Sequence, residues 1–151
     1  EDGGAIYLKR DYFTSDDEAE TFLTSGQAGG AVVYIESATA VSIASNVQIA
    51  SEAEPVVVVI DTPDGSVNDW DMRGSADFWG VLVVVGDTTL RGTCSIHGAL
   101  FSEGELLNLG TGAYPEILYN YTCITNLNRQ YVLSVNIVPN TWEEYTVPLV
   151  E

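Results

Sequence analysis

Basic residues are almost missing from this chain. Five lysines and arginines, with Lys9 the only lysine, stand against 22 acidic residues, a formal net charge of −17. A surface of that sign repels phosphate backbones and anionic headgroups. It excludes nucleic-acid binding through a basic patch and disfavours docking on an anionic membrane. It suits a soluble domain working outside the cytoplasm, or one that binds cations. Long apolar runs are missing too: none approaches the ~20 residues of a membrane helix. No signal peptide is visible at Glu1-Asp2-Gly3-Gly4, so the expectation is a mature or trimmed ectodomain. Histidine occurs once, as His97, and cysteine twice, as Cys94 and Cys123. That leaves no ligand set for zinc and no serine tied to the histidine by spacing, and there is no G-x-S-x-G elbow. The two cysteines permit one disulfide in an oxidising compartment, tying a coil to the C-terminal segment.

What is present is apolar: 46% of the residues in a chain of 151, enough for one domain with a real core. Only one helix is signalled. Ser15 is a candidate N-cap with Glu18 three residues on, acids fill the first turn, and Ala19, Phe22 and Leu23 make an apolar stripe that Gly26 can end. The rest reads as strands. Apolar runs begin at Ala31, Val56, Val81 and Ala99, and each leads into an acid or glycine, a turn and a second short apolar piece. Recurrence of strands and turns with a period of about 18 to 25 residues signals a solenoid. In "VVVVI" and "VLVVV" the apolar residues do not alternate with polar ones, as they would in a sandwich with one wet sheet face. Both faces of that sheet then need cover, from the Ser15–Thr24 helix or from a late strand "YVLSVNIV" beginning at Tyr131. In "TCSIHG" the alternation places Cys94 inward and His97 outward.

The expected fold is therefore mainly β: a short right-handed parallel β-helix with one N-terminal helix packed on or beside it. It forms a single domain, with a strand and helix segment over 1–28, coils over 29–120, and a C-terminal strand and tail over 121–151. Glu36, Asp61 and Asp87 each follow an aligned strand. If the coils stack in that register, the three carboxylates fall on one edge about 5 Å apart, where they splay into water or share a hard cation such as Ca²⁺. No other cofactor is expected.

The pattern "PVVVVID … FWGVLVVVGDTTLRGTCSIHGALFSEGELLNLGTG … YN" resembles the C-terminal β-solenoid of PilX-like minor pilins, accessory proteins of bacterial type IV pili. The G-x-x-x-I-x-G-A step (Gly92 to Ala99), the early "GGAVVYIES" and the late "NTWEEY" with Trp142 carry the resemblance, which spans about Gly29 to Tyr145. It implies a non-enzymatic extracellular or periplasmic module, associated with the cell surface. Its partners would be other filament subunits or surface proteins, and it would serve pilus assembly or adhesion. It also implies a prepilin leader and an apolar helix, neither of which is in this sequence. The alternative comes from carboxylates. β-Helices also carry polysaccharide lyases and hydrolases, and the stretch from Asp61 to Asp77 holds Asp64, Asp69 and Asp71 beside Trp70 and Trp79, a candidate ligand-contact segment with sugar-stacking rings.

Overall fold

The computed structural model describes residues 10–36, 39–44, 46–61, 70–108 and 114–132. It is a parallel β-solenoid of about four turns with two short helices. The strands are β1 (Arg10–Phe13), β2 (Val32–Ile35), β3 (Val41–Ile43), β4 (Gln48–Ile49), β5 (Val56–Asp61), β6 (Trp70–Met72), β7 (Asp77–Val85), β8 (Thr88–Leu90), β9 (Ser95–Ser102), β10 (Leu106–Asn108) and β11 (Glu116–Leu118). The helices are α1 (Asp16–Thr24) and α2 (Tyr121–Val132). Every pairing among the described strands is parallel, so the expected parallel stacking of the runs at Ala31, Val56, Val81 and Ala99 is observed.

Three faces wind around one core. Face A stacks β1, β2, β5, the later part of β7 and the later part of β9. Face B stacks β3, β6, β8 and β10. Face C stacks β4, the start of β7, the start of β9 and β11. Strands form here because β-branched residues fit a densely covered pleat. In β5 and β7, alternate residues point into the core: Val56, Val58, Ile60, Phe78, Leu82 and Val84 are buried. Their neighbours Val57, Val59, Val81 and Val83 face outward and are only half-buried.

The register corrects one expectation. Val57, not Val56, pairs with Val81, and Val56 pairs with Gly80. The step between these coils is one residue shorter than the apolar starts suggest, because Gly80 belongs inside the strand rather than to a turn before it. Gly80 has φ 149°, and a Cβ there would overlap the carbonyl oxygen of Val56. Gly98, at φ 139°, stands in the same relation to the carbonyl of Gly80. The missing Cβ lets β7 and β9 run from face C into face A without leaving the ladder.

Helix α1 does not lie over a sheet. It packs on β1, β3 and β4, the strands of the first coil, and buries Ala19 and Leu23 in the common core, so it closes the N-terminal end of the solenoid. Ser15 holds the N-cap position and its carbonyl accepts from the Ala19 N–H at 3.1 Å, but its side chain makes no cap bond, so the expected capping box is not formed. Glu20 compensates elsewhere: its carboxylate accepts from the Ser42 N–H, an edge donor of β3. Burial is the main force pushing the Glu20 carboxyl above the usual range.

The second helix was not signalled by the sequence. α2 lies on the outside of the solenoid, against β7 and β9. The expected late strand is corrected at its start, since Tyr131 and Val132 end this helix. The remainder of that strand, and Trp142, lie outside the described residues.

Candidate functional site

Two assemblies on the outer surface gather chemistry-bearing side chains. The first sits on face C. Asp77, Ser95 and Glu116 are register partners there, and Trp79, His97 and Leu118 form the next outward row. Parallel in-register stacking thus puts Trp79 and His97 on neighbouring coils, and their rings stack at 3.9 Å between centroids with 9° between planes. Ser95 and His97 are two residues apart on one strand, so both point outward. The Ser95 hydroxyl donates to Asp77. His97 Nε2 lies 3.0 Å from the same hydroxyl oxygen and 3.9 Å from the Asp77 carboxylate.

These are the residue types of a hydrolase triad in a different order. A nucleophilic serine gives its proton to a histidine nitrogen whose other nitrogen is held by the acid. Here the serine stands in the middle: its hydroxyl donates to Asp77, and its oxygen lies 3.0 Å from His97 Nε2. The cluster ties two neighbouring coils, with Asp77 on β7 and Ser95 and His97 on β9. Sequence reasoning missed Ser95 because the coil step that aligns it with Asp77 cannot be read from either residue alone.

The second assembly is the outward side of face A. The pairing sets out two rows across the coils. By register, one contains Arg10, Val32, Val57, Val81 and Ala99, and the other Tyr12, Tyr34, Val59, Val83 and Phe101. Tyr12 and Phe101 are 58% and 60% exposed, which makes the row accessible at both ends. The rings of Tyr12 and Tyr34 stack at 5.7 Å with 10° between planes. Tyr12 donates to Glu36, and Tyr34 donates to Asp61 at 2.9 Å. Those bonds to carboxylates are the main reason both phenols sit above the usual tyrosine range. Asp11, Tyr12, Val32, Tyr34 and Val59 line a depression of about 340 Å³ on this face.

The residues singled out from sequence are dispersed. Glu36 and Asp61 follow the register as neighbours, but Asp61 pairs with Val85, so Asp87 lies two residues further, past the bend at Gly86. Asp87 instead accepts from the Glu105 N–H at 2.7 Å. The three-carboxylate calcium ladder is therefore not assembled, and among the described residues no three His, Cys, Asp or Glu side chains gather to hold a metal ion. Trp70 is buried inside the solenoid, with its ring edge-on to Phe78 at 6.1 Å, and cannot serve as a sugar platform. Asp71 points outward on face B between Arg73, at 3.1 Å, and Arg91, at 3.5 Å. Asp61, Asp71 and Asp77 thus occupy faces A, B and C and share no groove, while Asp64 and Asp69 lie outside the described residues.

Cys94 points inward as expected, with its sulfur 3.6 Å from the Met72 carbonyl. Cys123, on α2, donates to the His97 carbonyl at 3.4 Å. Both are free thiols, so the bridge considered from the sequence is not made here. Burial pushes both above the usual thiol range, Cys123 to about 11. No protein-family model, no curated protein and no solved structure matches the chain.

Proposed function

We infer that this domain is a non-enzymatic structural and adhesive module of the cell surface, built as the soluble part of a minor-pilin-like filament protein. The observation that supports this best is the outward side of face A: a stiff, in-register parallel sheet that presents valines and aromatic rings to its surroundings. A solenoid of this kind holds such a surface rigid, so docking costs little ordering entropy. The polar clusters support the same reading, because each is arranged to tie coils together. Asp71 is shared between two arginines, and the Ser95 hydroxyl donates to Asp77. Adhesion and assembly remain as the work such a body can do.

The test is localisation in the source cells. Shearing surface filaments from intact cells and probing the fractions with an antibody to this domain should recover it with the filaments. Recovery in the cytosolic fraction alone would overturn the proposal.

A further inference from the structure

The outward side of face A has a chemistry that narrows what can dock there. Its centre is apolar, formed by Val32, Val57, Val59, Val81 and Val83. Its tyrosine end is bounded by Glu36 and Asp61, register neighbours at the ends of β2 and β5. The two phenol protons already point at those carboxylates. What the rim offers to an incoming group is therefore hydrogen-bond acceptors and negative charge. Among the described strands Tyr12 stands on the edge, and no described coil neighbours the ring face turned away from Tyr34. Arg73 and Arg91 are on the Asp71 side of the solenoid, and Arg10 opens β1 in the row of Val32, not in the row of the carboxylates.

Charge complementarity then selects among occupants. A second copy of this chain would bring carboxylates against Glu36 and Asp61, and the net charge of −17 adds to that repulsion. An anionic bilayer fails for the same reason. A basic side chain carried on an apolar surface meets every feature: donors for the carboxylates, a cation for the open tyrosine face, and aliphatic area for the valines. The geometry points to face A, around Tyr12, Tyr34, Glu36 and Asp61, as the docking surface for a partner protein that presents arginine or lysine on an apolar face. This rests on the docking-module reading given above and names the chemistry of its partner.

The test uses the full chain, labelled with ¹⁵N, and a capped octapeptide of alternating arginine and valine, with a glutamine–valine peptide as control. At 0.05 M salt the arginine peptide should shift amide signals of β1, β2 and β5, and bind at least tenfold more tightly than the control. The double change Glu36→Gln with Asp61→Asn keeps side-chain size and should weaken binding at least fivefold, with the amide spectrum of the free protein otherwise intact. Shifts spread evenly over the acidic surface, equal affinity for the two peptides, or no binding would overturn the inference. Protection of β2 and β5 by residues 133–151 in the free protein would do so as well. None of these outcomes touches the filament fractionation, which does not depend on the charge of the partner.

Discussion

The solenoid turns the corner between faces C and A in two ways. In the first coil β4 ends at Ile49, the chain leaves the ladder over Ala50–Pro55, and β5 begins at Val56. In the next two coils the strand does not stop: β7 passes the corner at Gly80 and β9 at Gly98. One corner is made with residues, the other by leaving out a Cβ. The looped corner can project side chains, and Glu52 from that loop holds α2 through Asn120 at 3.0 Å and Asn126 at 2.8 Å. The glycine corner projects nothing, and beside it the register partners Trp79 and His97 stack. Helix α2 spans both kinds, gripping the Glu52 loop at one side and the His97 carbonyl at the other.

The most severe way to break this contrast is Gly80→Ala. The added methyl overlaps the Val56 carbonyl, which cannot retreat without opening the β5–β7 ladder, and the φ is one that L residues rarely adopt. A loss of about 3 kcal/mol or more is expected, read as a collapse of the thermal transition or its fall by about 6–12 °C or more. Alanine at a neighbouring half-buried position, Val81→Ala, should cost clearly less. Equal costs would mean that Gly80 is not a close-approach site.

How far the fold can be read in advance follows from the same corners. The parallel coils were legible because Val56–Ile60 and Val81–Val85 are apolar on both faces, which a sheet with one wet side would not allow. The register was not, because glycine before an apolar run looks like punctuation, whereas Gly80 is a strand residue paired to Val56. Counted from the apolar starts, Asp61 already falls opposite Gly86, one short of Asp87; the Gly80 register adds a second residue, so Asp61 meets Val85 and the cation ladder is not formed. α1 was legible through its first-turn acids and the stripe of Ala19 and Leu23. α2 was not, since its described side chains bury only Cys123 and Leu127, an i, i+4 pair too narrow to stand out among β-branched neighbours. Asn120 was the available signal: its side chain caps the Cys123 N–H at 2.9 Å. In the candidate site, Tyr34 lay in plain view, but its partner Asp61 is fixed only by the coil step.

Alkaline pH tests the glycine-corner side of the α2 contact. The Cys123 thiol is raised from 9.0 to about 11 by burial. Between those values the unfolded chain releases its proton and the folded chain retains it, so stability is full below about pH 9 and falls as pH rises towards 11. Tyr12 and Tyr34, also raised, push in the same direction from pH 10 upward. A fall of up to about 2 kcal/mol from the thiol is expected. It is measured by denaturant titration at pH 8, 9, 10 and 11; Cys123→Ala should reduce the lower part of the fall without abolishing it, because burial also raises the Cys94 thiol. A curve flat from pH 9 to 10.5 in the parent protein would contradict a buried Cys123.

On the looped side, Asn126→Ala removes one hydrogen bond to the Glu52 carbonyl. The expected cost is about 1 kcal/mol. It should appear first as faster amide exchange in α2, with β5 and β7 unchanged. If exchange quickens equally in β7, α2 is part of the solenoid's cooperative core instead of an element clamped onto it.

The smallest effect has the opposite sign. Ala50, the first residue of the looped corner, has φ 62°, the only described non-glycine residue with a positive φ. Alanine pays about 1 kcal/mol there that glycine does not, because its Cβ crowds the backbone in the left-handed region. Against this, Ala50 packs partly on the core, and glycine loses that contact and carries more freedom in the unfolded chain. The strain outweighs the lost methyl, so Ala50→Gly is expected to stabilise by about 0.5 kcal/mol, a rise of a degree or two in Tm. The same residue pair, exchanged in opposite directions at two corners of one solenoid, should thus move stability in opposite directions by very different amounts. A destabilisation at Ala50 would show that the looped corner, like the glycine corner, is fixed by packing and not by backbone conformation alone.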